Sequence, residues 1–119
     1  MHQIMAHGMS DNIFKLVLMD EAKRFIDGLP DDVSHKIYYN IYRVAAGERD
    51  AELFKKLNSQ IWEFRTLYNG TAYRLLAFWD KDRDTFVIAT HGFIKKTQKT
   101  PVKEIARAEA LRKKYFETK

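Results

Sequence analysis

The chain of 119 residues has no cysteine, only two prolines and five glycines. Without cysteine there are no disulfides, no Cys-liganded zinc, no iron–sulfur cluster and no thiol nucleophile. The glycines stand alone at 8, 28, 47, 70 and 92, so no glycine-rich phosphate loop is present. No apolar run approaches the roughly 18 residues a membrane span needs. The first residues lack both a basic start and a long apolar stretch, and do not read as a signal peptide. A cytoplasmic protein with no membrane association is expected. The four histidines do not fall at metal-ligand spacing: His2 and His7 precede the first strand-like run, His35 falls in a helical pattern and His91 in a strand-like one. Asp80, Asp82 and Asp84 alternate like calcium ligands but lack that loop's glycine and closing glutamate; they predict a solvated hairpin turn. No metal or cofactor is expected. What is present is 45% hydrophobic and 13% aromatic residues, enough for a packed core.

Charge is segregated. Residues 1–60 hold 8 basic and 9 acidic side chains, whereas 61–119 hold 13 basic and 7 acidic. The halves therefore carry −1 and +6, which sum to the net +5. The excess gathers late, at Lys95, Lys96, Lys99, Lys103, Arg107, Arg112, Lys113 and Lys114. Such a field attracts polyanions, of which nucleic acid is the commonest; a solvated helix face is the alternative reading.

The periodicity predicts an α+β protein. Residues 1–10 have no pattern and predict a disordered lead-in, leaving residues 11–119 as one domain. Residues 13–18 are apolar and partly β-branched, as in a strand. Asp20 is a candidate helix N-cap, and Ala22, Phe25, Ile26 and Leu29 keep helical spacing up to Gly28 and Pro30. Asp31 or Asp32 can cap a second helix, with Val33, Ile37, Ile41 and Val44 as one apolar stripe and Tyr38, Tyr39 and Tyr42 at the core edge. Residues 51–57 suggest a further short helical turn carrying Lys55 and Lys56. From Ile61 the period drops to two. Residues 61–68, the Asn69-Gly70 hairpin signal, residues 71–79, a polar turn and residues 85–93 predict an antiparallel meander. Thr100-Pro101 reads as cap and first residue of a last helix, buried along Val102, Ile105, Ala108, Leu111 and Tyr115.

Basic residues are set into the predicted sheet: Arg65 in the first hairpin strand and Arg74 in the return strand, with His91 near the end of the third and Lys95-Lys96 just after it. Alternation turns neighbouring residues to opposite faces, but the local pattern leaves the hairpin register open. Arg, Lys and His on one sheet face suit a phosphodiester. The cations offset charge that grows on the phosphate, and a His or Tyr can pass a proton. If the nucleophile is the substrate's own 2′-hydroxyl, no metal is needed and the substrate is RNA. The opposing reading makes Arg65 and Arg74 cross-strand partners of acids such as Glu63 or Asp80.

Three blocks carry a family resemblance: Ile61-Trp62-Glu63-Phe64-Arg65, Tyr73 to Phe78, and His91-Gly92-Phe93-Ile94-Lys95-Lys96-Thr97-Gln98-Lys99-Thr100-Pro101. In order and spacing they resemble toxins of the RelE/ParE superfamily, in its phage-derived, HigB-like branch. The resemblance covers residues 13–116. It implies a RelE-like fold, with a twisted antiparallel sheet, N-terminal helices packed on it and a C-terminal helix. It implies the toxin of a type II toxin–antitoxin pair, an endoribonuclease that cleaves mRNA on the ribosome without metal and arrests translation. The implied partner is a helix-turn-helix antitoxin that neutralises the toxin and brings the complex to operator DNA. By the same resemblance Arg74 contacts the scissile phosphate, with Arg65, His91 and Lys96 as further catalytic candidates. Lys95, Lys96, Lys99, Lys103 and Arg107 form the expected RNA-binding set. A ParE-like gyrase poison and a non-catalytic nucleic-acid-binding module remain the rival readings.

Overall fold

A computed structural model describes residues 1–4, 12–82 and 85–119. The described elements are β1 (His2–Ile4), β2 (Lys15–Leu18), α1 (Asp20–Asp27), α2 (Asp31–Ala45), β3 (Phe54–Lys56), β4 (Trp62–Tyr68), β5 (Thr71–Asp80), β6 (Phe86–Lys95) and α3 (Val102–Thr118). One sheet runs in the order β1-β2-β6-β5-β4-β3, and the fold is α+β with a C-terminal helix. The meander β4-β5-β6 is antiparallel as expected, but β2 lies parallel to β6, so the sheet is mixed. That pairing joins segments about 70 residues apart in sequence (Lys15 with Phe86), which local alternation does not report.

The sheet is sandwiched between helices. On one face α1 and α2 bury Ala22, Ile26, Val33, Ile37, Ile41 and Val44 against Phe64, Leu75, Ala77, Val87 and Ala89. On the other face Ile105, Ala108, Tyr115 and Phe116 of α3 pack on Val17, Ile61, Leu76, Phe78 and Ile88. Alternation along β5 explains the division: Leu75 and Ala77 serve the first core, Leu76 and Phe78 the second.

Several local expectations are corrected. His2–Ile4 is a strand that pairs antiparallel with β2; residues 5–10 of the expected disordered lead-in lie outside the described residues. The expected helical turn over 51–57 is a turn leading into β3, because Phe54 stacks on Phe64 and Trp62 with ring centroids 4.3 and 4.8 Å apart. Met19 and Pro30, not Asp20 or Asp31, occupy the N-cap positions of α1 and α2. Tyr39 is exposed, while Tyr38 packs on the core. Pro101 is the N-cap of α3, Val102 is exposed, and the Thr100 hydroxyl is spent elsewhere. Asp80 is buried rather than solvated: it accepts hydrogen bonds from Tyr115 at 2.6 Å and Lys119 at 2.9 Å, fastening the end of α3 to the sheet. Asp84 lies outside the described residues.

Two backbone details place the site. Asn69 and Gly70 both have positive φ (50° and 78°), which fits a two-residue hairpin turn whose twist matches the strands. The turn pairs Tyr68 with Thr71, and counting back from it sets Arg65 directly opposite Arg74. In β6 the register slips by one residue: Ala77 pairs with Ala89 but Leu76 pairs with His91, so Thr90 is the extra residue of a bulge.

Candidate nucleic-acid interface

Cross-strand partners share a sheet face, so the register orders the α3 side of the sheet into rows. The first is Glu63–Leu76–His91, the second Arg65–Arg74–Phe93, and the third Leu67–Ala72–Lys95. The start of α3 closes over the first row. The Thr100 hydroxyl donates to Glu63 Oε2 at 2.5 Å, and Glu104 Oε1 lies 3.2 Å from His91 Nε2. The next two rows stay open and form a groove lined by Arg65, Ala72, Arg74, Lys95, Lys96, Thr97 and Gln98. None of these lining residues is acidic.

Two arginines directly opposite each other repel, and Glu63 holds them there. Its carboxylate is almost fully buried, and Oε1 lies 3.3 Å from Arg74 Nε and 3.7 Å from Arg65 Nε. Neither Nε has a directed hydrogen bond, so the attraction is one of charge. The guanidinium groups are further fixed by backbone carbonyls, Arg74 Nη1 donating to Tyr73 at 3.2 Å and Arg65 Nη1 to Ala51 at 3.0 Å. Arg74 is 7% exposed. Burial and the neighbouring Arg65 lower its pKa while Glu63 opposes them. Lys95, half-buried on the next row, is also pushed below the ordinary lysine value, first by burial and then by Arg74 against the opposing pull of Glu63, with Arg65 and Lys55 adding to the lowering. One buried carboxylate thus underlies Arg65, Arg74 and Lys95, and the groove is short of negative charge.

The predicted site residues divide. Arg65, Arg74, Lys95 and Lys96 come together. His91 does not line the groove. It is 3% exposed beneath α3, with Nδ1 3.0 Å from the Thr90 hydroxyl. The Thr90 hydroxyl donates to the Leu76 carbonyl at 3.3 Å, so its oxygen meets Nδ1 while Nε2 faces Glu104. Burial lowers the His91 pKa against the opposing pull of Glu104, and the ring's enclosure beneath α3 gives it a fastening role. Lys99 and Lys103 are exposed outside the lining set, and Arg107 forms an ion pair with Glu21 of α1. Tyr73 turns to the α1–α2 core, as packing predicts. As the opposing reading allowed, both arginines do pair with Glu63, but within the sheet rather than in solvent, and Asp80 binds the end of α3 instead. Sequence reasoning missed Glu63 as an organising group and Lys55 as its cross-strand neighbour on β3. Recognising 54–56 as a strand would have found Lys55.

A second cleft lies between the first turn of α1 and the later half of α3, lined by Asp20, Glu21, Arg24 and Lys114 among others. Its mixed charges gather around no common sign. No helix among the described residues is long and apolar enough to cross a membrane.

The fold and groove define a small α+β protein with a cation-lined sheet face. Residues 24–113 match the family model described as phage derived protein Gp49-like (DUF891), and the chain belongs to that family. The match spans every groove residue and leaves out β1 and β2. A search of the curated proteins finds no match.

Proposed function

We propose that this protein is the toxin of a type II toxin–antitoxin pair and an endoribonuclease that cuts mRNA on the ribosome. The observation that carries the reading is the convergence of Arg65, Arg74, Lys95 and Lys96 on one open groove without an acidic lining residue. Membership of the Gp49-like family and the RelE/ParE resemblance agree with it. In this reading a phosphodiester lies in the groove and the ribose 2′-hydroxyl attacks the adjacent phosphorus. The 2′-oxygen–phosphorus bond forms and the bond to the 5′-oxygen breaks, leaving a 2′,3′-cyclic phosphate and a 5′-hydroxyl. Arg74 and Arg65 offset the charge that grows on the non-bridging oxygens. Lys95, whose ammonium is destabilised, is the group best suited to exchange a proton with the attacking or leaving oxygen. Lys96, exposed on the rim, adds charge. A helix-turn-helix antitoxin covering this face would complete the pair.

The test is expression of wild type and Arg74→Ala with mapping of cellular mRNA 5′ ends. Wild type should stop translation and leave new ends within ribosome-covered coding sequence, and Arg74→Ala should do neither. Cleavage that persists in Arg74→Ala would sink the assignment of Arg74. DNA damage with translation intact would replace this reading by a gyrase poison, and harmless expression of both by a binding module.

A further inference from the structure

Leu67 is 70% exposed although it sits inside a strand. The register places it on the groove side: it pairs with Ala72, which lines the groove, and Ala72 pairs in turn with Lys95. Arg65 lies two residues back on the same face, about 7 Å along the strand at ~3.4 Å per residue. A single exposed leucine is ordinary; its position beside four cations is not. Ala72 opposite is too small to cover its flank, so the row Leu67–Ala72 forms an apolar shelf continuous with the cationic groove. A ligand fitting both parts has an anionic backbone and a flat apolar group one short step away. Inorganic phosphate lacks the second feature, and a stacked duplex hides it. Single-stranded nucleic acid has both.

We infer that Leu67 is a base-contacting residue, seating the nucleobase next to the phosphate held by Arg65 and Arg74. This rests on the reading of the groove as an RNA site and adds that binding requires an unpaired base there. Two other exposed apolar side chains in the second half of the chain do not share the shelf: Ile94 pairs with Tyr73 on the opposite face, and Val102 lies on the first turn of α3.

The experiment compares wild type, Leu67→Ser and Arg74→Gln for binding a short single-stranded RNA and an abasic ribose-phosphate oligomer of equal length, by fluorescence anisotropy, with thermal melts to confirm folding. Leu67→Ser should weaken RNA binding about five-fold, on the scale of lost base contacts, and leave the abasic oligomer unchanged. Leu67→Phe should tighten RNA alone. Leu67→Ser that leaves RNA binding unchanged, or weakens both oligomers alike, overturns the assignment of Leu67. Arg74→Gln should weaken both oligomers; if it weakens neither, the phosphate site itself is wrong and the shelf falls with it. Loss with Arg74→Gln but none with Leu67→Ser removes the shelf and leaves the groove standing.

Discussion

Glu63 is a buried acid whose partners are two arginines from neighbouring strand positions and a threonine hydroxyl from the start of α3. Removing one partner of a buried charge pair leaves the others uncompensated, which costs about 3–5 kcal/mol. Glu63→Gln keeps the shape and loses the charge, so urea denaturation should show a loss of about 3 kcal/mol. In the same variant the folded protein should bind RNA more tightly, because the groove gains a net positive charge. The opposite signs separate a scaffold role from a ligand-binding one; weaker binding in the folded variant would make Glu63 a ligand contact instead. Lys95 gives a second residue-scale expectation. Its folded pKa lies below the ordinary value, so the groove loses this charge at a lower pH than an ordinary lysine would. RNA affinity should therefore begin to fall at a pH below the ordinary lysine range, and Lys95→Arg should move that fall upward. An unshifted profile in Lys95→Arg would show that Lys95 does not set it.

At the scale of elements, α3 is fastened along its length: Thr100 to Glu63 and Glu104 to His91 at the start, Arg107 to Glu21 in the middle, Tyr115 and Lys119 to Asp80 at the end. Burial and then the hydrogen bond to Asp80 push the Tyr115 hydroxyl up to about 12. A raised folded pKa means that its stabilisation is complete below the unfolded value near 10 and is lost as pH climbs toward 12. Thermal melts of the wild type should fall across that window, and Tyr115→Phe should flatten the fall while costing about 1.5 kcal/mol at neutral pH. Burial alone would raise the Asp80 pKa, but the hydrogen bonds from Lys119 and Tyr115 outweigh it and hold it low; its contribution is lost on acidification instead. On the opposite face Gly92 lies against the Phe25 ring of α1, where a Cβ would collide with the ring. Gly92→Ala should lose about 1–3 kcal/mol, and Phe25→Ala should be less damaging in that background than alone. Much of this was legible in sequence. The apolar stripes of α1 and α2 and the meander follow from local period. The facing of Arg65 and Arg74 was open in the sequence; it is set by the two-residue turn at Asn69-Gly70, from which the pairing counts back through Tyr68 and Thr71. Residues 54–56 and the parallel β2–β6 pair did not follow, because both depend on partners distant in sequence. Thr100 and His91 were legible as polar residues but not in role: both meet acids that only the docking of α3 brings near.

For the whole molecule, the −1 and +6 of its two halves acquire a spatial meaning. Early helices, nearly neutral, cover one face of the sheet, and the basic half supplies the open groove on the other. If two to four phosphates bind there, log affinity for single-stranded RNA should fall with log salt with a slope of roughly −1.4 to −2.8, about −0.7 per phosphate. Arg74→Gln should make the slope shallower by about one such step. A flat dependence in the wild type would exclude this surface as the contact. This division of labour between two faces depends on Thr90, the extra residue in β6. Val87 and Ala89 point to the early helices; unbroken alternation would send His91, Phe93 and Lys95 after them, and turn Ile94 toward the groove. The slip reverses the parity. The strand is written in two reading frames, one for the scaffold and one for the ligand. Were Thr90 paired in regular register instead of bulged, every groove side chain would remain in the sequence and Lys95 would turn to the wrong side of the sheet.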